Sequence, residues 1–174
     1  MDTAWLQSFV RDVPDFPEPG IVFKDLTPLL GDAEAFRAAV DALSDYAERL
    51  PEPVTKVVGI EARGFTFAAA VAYKLGVGLV PVRKPGKLPY RTTRETYALE
   101  YGTDALEMHE DAVAQRRCLV VDDLLATGGT AAATARLVER QGGTVEGFAF
   151  VIELDFLKGR ARLGDRPVHA LIHY

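Results

Sequence analysis

Apolar residues along this 174-residue chain fall into short unbroken runs that alternate with stretches of helical periodicity. Val54–Ile60, Val77–Val82, Arg117–Val121 and Val145–Ile152 are mostly apolar and predict buried strands. A fifth run, Val168–Ile172, is suited to a sheet edge. Between Ala33 and Leu50, Phe36, Ala39, Val40, Leu43 and Ala47 recur every three or four residues, which predicts a helix. Asp32 is placed to cap it and Pro51 to stop it. Phe65–Leu75, closed by Gly76, and Thr130–Gln141, closed by Gly142-Gly143, predict two more helices. Strands apolar on both faces and separated by helices predict an α/β fold: a central, mainly parallel sheet flanked by helices. In such a sheet the ligand site lies outside the carboxyl ends of the strands.

Three stretches break the pattern. Asp2–Arg11 predicts a short amphipathic helix with Trp5, Leu6 and Phe9 on one side. Residues 12–20 hold three prolines and a glycine, which predicts a rigid irregular segment without regular helix or interior strand. Lys84–Asp111 is long and polar, and loops of that length are usually functional or disordered. Within it, Glu95–Tyr101 alternates well enough to form one arm of a hairpin.

Composition narrows the class. Hydrophobic residues make up 48% and charged residues 26%, with a mean hydropathy of +0.03, as in ordinary globular proteins. The length predicts one domain over residues 1–174. A net charge of −5 argues against duplex DNA or an anionic membrane as the main partner, though not against a phosphorylated small molecule. Cys118 is the only cysteine, so no internal disulfide and no cysteine zinc site is expected; a reducing, cytoplasmic location fits. No apolar run reaches the ~18–20 residues of a membrane span, and Met1–Val10 does not read as a signal peptide.

The densest chemistry lies in Leu119-Val120-Val121-Asp122-Asp123-Leu124-Leu125-Ala126-Thr127-Gly128-Gly129-Thr130. A strand ends in two carboxylates, and a small glycine-rich turn leads into a helix. Free N–H groups at a helix start suit a phosphate, with Thr127 and Thr130 as hydroxyl donors. Paired acids beside a phosphate loop make sense for a sugar phosphate, whose hydroxyls donate to carboxylates. The plainer alternative is that Asp122 and Asp123 cap the helix and Gly128-Gly129 is only a turn. The string is not a P-loop, since no Lys-Ser/Thr follows the glycines.

Arg63, in Glu61-Ala62-Arg63-Gly64-Phe65, follows the first strand and offers a planar fork for phosphate oxygens, or a salt bridge at a helix start. Arg83, Lys84 and Lys87 crowd three cations into five residues, which repel one another unless an anion joins them; a solvated charge run is the alternative. His109 reads as a surface residue, and His169 and His173 as structural, with no zinc site expected. Phe23 is an aromatic ring able to stack on a planar base, with core packing the alternative for it and for Ile21.

Val120–Thr130 resembles the phosphoribosyl-pyrophosphate (PRPP) signature of the type I phosphoribosyltransferases, in the form found in the family's adenine-specific members. Three other segments resemble the family in the same order. They are Phe16–Asp25 with Thr27–Leu30, Glu61–Phe65, and Arg83–Pro89 followed by Leu99–Gly102. Together they span about Phe16 to Lys158.

The resemblance implies transfer of the phosphoribosyl group of PRPP to adenine, giving AMP and pyrophosphate. Transfer to another purine base, or a non-catalytic PRPP sensor on the same fold, are the alternatives. It implies that Ala126, Thr127, Gly128, Gly129 and Thr130 hold the 5′-phosphate. Asp122 and Asp123 then hold the ribose hydroxyls and stabilise positive charge on the ring. Arg63, Arg83, Lys84 and Lys87 receive the pyrophosphate, and Glu100 acts as acid/base on a loop, about residues 84–111, that closes over the site. A hood of about residues 12–30 binds adenine through Val22, Phe23 and Lys24, whose backbone groups are expected to be free of helix or sheet. Mg²⁺ is expected on the diphosphate oxygens and water, without direct protein ligands. A cis peptide at Glu61-Ala62 and a homodimer are implied as well.

Overall fold

The computed structural model describes residues 2–98 and 102–174. Five parallel strands form the central sheet: β3 (Lys56–Ile60), β4 (Gly78–Val82), β7 (Arg117–Leu125), β8 (Thr144–Glu153) and β9 (Val168–His173). Their spatial order is β4-β3-β7-β8-β9, so β9 is an edge, as expected, and β4 is the other. Strand order reverses between β3 and β7, and that switch point is where open α/β sheets open a crevice for a ligand.

Alternation along the strands explains the two cores. Val58, Val120, Phe148 and Phe150 face α5 (Gly129–Arg140), which covers them with Ala132, Ala133, Leu137 and Val138. Val57, Leu119, Val121 and Val151 face α3 (Ala33–Glu48) and α4 (Gly64–Leu75). Burial on both faces is why these strands read as continuous apolar runs. Asp32 caps α3 by accepting from the N–H groups of Glu34 and Ala35, and α4 stops at Gly76. The N-terminal helix is short, α1 (Thr3–Gln7), with Leu6 fully buried against the second core and Trp5 and Phe9 packed on it.

Two expectations need correction. Residues 12–20 are not wholly irregular: β1 (Arg11–Pro14) pairs antiparallel with β2 (Val22–Asp25), and the short α2 (Thr27–Gly31) follows. Pro14 closes β1 in a two-stranded ribbon, where a missing N–H is tolerated. Residues 84–111 are also not an open loop. β5 (Thr92–Ala98) and β6 (Thr103–His109) form an antiparallel hairpin laid on α5. Tyr97, Leu106 and Met108 bury one face of it. Glu95, paired with Leu106 on that same face, accepts from Arg136 Nε (2.6 Å) and Arg140 Nη1 (2.6 Å) of α5. His109 is not a surface residue; it is half-buried, with its ring edge-on to Tyr90.

Candidate active site

The carboxyl end of every sheet strand contributes to one connected set of hollows. β3 runs into Glu61-Ala62-Arg63, β4 into Arg83 and Lys84, β7 into the glycine-rich turn, and β8 and β9 into Leu154 and Tyr174. The Glu61–Ala62 peptide is cis, as the family resemblance implies.

β7 extends to Leu125, so Asp122 and Asp123 belong to the strand and do not cap α5. The N-cap is Gly128, at φ 79°, a left-handed conformation that costs glycine little. A side chain there would also collide with the Gly159 carbonyl, which crosses directly behind the turn. Residues 124–131 with Asp122 enclose a hollow of about 70 Å³, lined by the backbone of Ala126–Thr130 and by the Thr127 and Thr130 side chains. A helix start with hydroxyls around so small a concavity is chemically suited to one phosphate group.

The adjoining hollow, about 450 Å³, is lined by Arg63, Lys84, Tyr97, Asp104, Asp122 and Asp123 among others. Asp123 is buried, 6% exposed, and pairs with Arg63 Nε at 2.6 Å. Asp122 lies beneath Gly64, where any Cβ would overlap its carboxylate and sit 3.1 Å from its Cα. Burial, then the charge of Asp123, pushes the Asp122 carboxyl well above the usual carboxylate range. Asp122 therefore holds its proton more readily than an ordinary carboxyl does.

The cations are present as predicted, but their expected mutual repulsion is already answered by the protein. Glu61 accepts from Arg83 Nε (3.2 Å), Lys87 Nζ (2.5 Å) and the Lys84 N–H (2.8 Å). Burial raises its carboxyl, but these three donors outweigh it and bring it to about 2. The Lys84 ammonium donates to Asp104 instead. Glu61 and Asp104 are thus site residues that the cation count alone did not find. Their partners lie 20–26 positions away in sequence, and only the pairing of β3 with β4 and the placing of the β5–β6 hairpin bring them together. Arg63 adopts the salt-bridged helix-start arrangement and also stacks over Phe23, 4.8 Å from the ring centre.

The third hollow, about 640 Å³, lies between the β1–β2 ribbon and the segment after β8. Val22 and Lys24 line one side; Leu154, Phe156 and Leu157 line the other. The expectation that Val22–Lys24 keep their backbone free needs correction, since β2 is paired with β1 along one edge. Its other edge remains for a ligand, because a strand directs alternate N–H and C=O groups to opposite sides. The Lys24 side chain is engaged elsewhere, with Asp12 at 2.7 Å and over the Tyr174 ring at 3.8 Å, which ties the ribbon to the end of β9. Phe23 is half-buried, edge-on to Phe16 at 5.1 Å, whereas Ile21 is exposed and not packed in the core. Leu154, Phe156 and Leu157 were not singled out from sequence; they sit in a 3₁₀ segment without periodicity. Glu100 lies outside the described residues.

A phosphate cradle, paired acids and a cation cluster at the switch point of a parallel sheet define a protein that binds a phosphorylated sugar carrying further phosphate. Comparison with known proteins gives that class its family. Residues 30–165 match the model of the phosphoribosyl transferase domain. The chain is 59% identical over 166 residues to the adenine phosphoribosyltransferase of Anaeromyxobacter sp. strain Fw109-5, covering 95% of this chain and 93% of that one. It is 58% identical over 172 residues to that of Myxococcus xanthus, covering 98% and 92%. The crystal structure of the Thermoanaerobacter pseudethanolicus enzyme superposes with a TM-score of 0.94 at 49% identity, covering 99% of both chains. The Saccharomyces cerevisiae enzyme, crystallised with an imino-altritol bisphosphate and adenine, gives 0.92 at 41% identity over 97% of both. The chain belongs to the adenine phosphoribosyltransferase family.

Proposed function

We propose that this chain transfers the 5-phosphoribosyl group of PRPP to adenine, forming AMP and releasing pyrophosphate. The observation that carries the reading is the continuity of the three hollows around Ala126–Thr130. The smallest hollow suits the 5′-phosphate, the one that shares Asp122 and Thr130 with it suits ribose and diphosphate, and the one that shares Thr127 suits the base.

The Ala126–Thr130 turn holds the 5′-phosphate through backbone N–H groups and the two threonine hydroxyls. Asp122 and Asp123 accept from the ribose hydroxyls. As the anomeric carbon loses pyrophosphate and gains the bond to the base nitrogen, the ring becomes oxocarbenium-like, and the Asp123 carboxylate, which lines the same hollow, favours that charge. Arg63, Arg83, Lys84 and Lys87 receive the departing diphosphate. Adenine is held at the β1–β2 ribbon by the Phe23 ring, which stands on the Arg63 side, and by backbone groups of Val22 and Lys24, with Leu154, Phe156 and Leu157 across the third hollow. The family resemblance assigns the base proton to Glu100.

A magnesium ion would be held chiefly by the diphosphate. In this cleft Asp123, Asp104 and Glu61 are each already held by a cation of the protein. That donor set fits an ion carried by phosphate oxygens and water better than a cage of carboxylates, with Asp122 and Asp123 steadying its waters. Bound there, the ion would supply charge neutralisation to the leaving diphosphate.

Residues 1–174 act as one catalytic domain, with about 12–30 as hood and 84–111, built around the β5–β6 hairpin, as the element over the site. The family also supports a cytoplasmic homodimer. No helix among the described residues is long and apolar enough to cross a membrane.

The test is Mg²⁺-dependent AMP formation from adenine and PRPP, with hypoxanthine and guanine in parallel. AMP formation with little use of the oxopurines is expected. No AMP, or faster use of an oxopurine, overturns the reading.

A further inference from the structure

The hairpin carries a carboxylate into the diphosphate end of the cleft, where one cation more than the protein needs would serve the ligand best. Asp104 sits in β6 and is held from three directions. Ala105 N–H donates to Oδ1 at 2.8 Å, and the Tyr97 hydroxyl donates to Oδ2 at 3.2 Å. Lys84 donates its ammonium to the same Oδ2. The Thr130 hydroxyl, at the phosphate turn, in turn donates to the Tyr97 oxygen at 3.2 Å. Asp104 is therefore fixed to the hairpin without Lys84. The lysine, on its flexible stem, is the partner free to leave.

We propose that Asp104 is a positioning residue, an internal counter-anion that the diphosphate must displace from Lys84, so that it weakens diphosphate binding and speeds its release. The proposal rests on the reading of Lys84 as a diphosphate ligand. Its chemistry is an exchange of one anion for another. Asp104 keeps Lys84 extended along the cleft while the site is empty. When a diphosphate arrives, the ammonium turns to it, and the Asp104 carboxylate stays on Tyr97 and Ala105 N–H. As the product leaves, Asp104 takes Lys84 back. Burial alone would lower the ammonium pKa and raise that of the carboxyl. Their hydrogen bond reverses both, so the pair is ionised before any ligand binds. The Glu61 group differs: it gathers Arg83, Lys87 and the Lys84 backbone from the base of the cleft, and nothing in the hairpin holds it.

The test substitutes Asp104→Asn, which keeps an oxygen for the Ala105 N–H and turns an amide N–H towards the Tyr97 hydroxyl oxygen, but removes the charge. Binding of pyrophosphate with excess Mg²⁺ is measured by calorimetry on the full chain, with AMP as the control ligand. A partly exposed ion pair is worth up to about 1 kcal/mol, so pyrophosphate affinity should rise about fivefold, with AMP affinity within twofold of the parent. KM for PRPP should fall while KM for adenine holds. A merely structural role would weaken binding rather than strengthen it. Lys84→Met separates the two ways to fail. If Lys84→Met weakens pyrophosphate and Asp104→Asn leaves it unchanged or weaker, the counter-anion role is overturned and the diphosphate reading stands. If Lys84→Met leaves pyrophosphate binding intact, both are overturned.

Discussion

At the residue scale the two acids at the end of β7 do unlike work because their surroundings differ. Asp123 has Arg63 beside it; Asp122 has Gly64, burial and a neighbouring negative charge. A carboxyl whose pKa is raised on folding contributes its stability at low pH and loses it as pH rises through the folded value. At neutral pH Asp122 therefore destabilises the fold. Asp122→Asn keeps the oxygen that accepts from the Asp123 N–H, at 2.9 Å, and removes the charge. It should raise Tm by roughly 2–4 °C, about 1 kcal/mol for a chain of this size, while lowering kcat. A scanning-calorimetry trace with unchanged or lower Tm would show that the acid is not under this tension. The chemistry of both acids was legible in sequence, because strand, acids and glycine turn are contiguous there. Glu61 and Asp104 were not, because their importance comes from partners on other strands.

At the scale of elements, the sheet strands and their covering helices follow from periodicity to within a few residues, since full burial leaves unbroken apolar runs. The hairpin β5–β6 was harder to see. Only Tyr97 of β5 is buried, and its remaining side chains, Ala98 apart, are polar. Its attachment depends on Glu95, 41 and 45 residues from the arginines that hold it. Glu95→Ala should loosen this unit alone. Amide exchange in Thr92–Ala98 and Thr103–His109 should speed up about fivefold, with β3 and β7 unaffected and Tm nearly constant. Uniform acceleration across the sheet would mean that the hairpin and the core open together.

Across the whole molecule, acid sensitivity should concentrate at the Glu61 clamp. Its carboxyl falls from 4.5 to about 2 on folding. That contribution is complete above about pH 4.5 and disappears as pH drops through 2. Glu61→Gln should flatten the fall of Tm over this window and leave the remaining dependence to other carboxylates. An identical slope in both proteins would place the acid lability elsewhere.

Where Gly128 and Gly159 cross, neither strand of backbone has a side chain to yield, and a Cβ on either would strike the other segment. The turn that cradles one phosphate and the segment bearing Leu154, Phe156 and Leu157 are therefore coupled as a single rigid part. An engineer wishing to admit a bulkier base would gain little by reshaping that floor, because any shift is transmitted to the cradle. The opposite wall is the adjustable one: the β1–β2 ribbon is a separate two-stranded sheet, and it can be recut at Ile21 and Val22 so long as Phe23 keeps its place against Arg63.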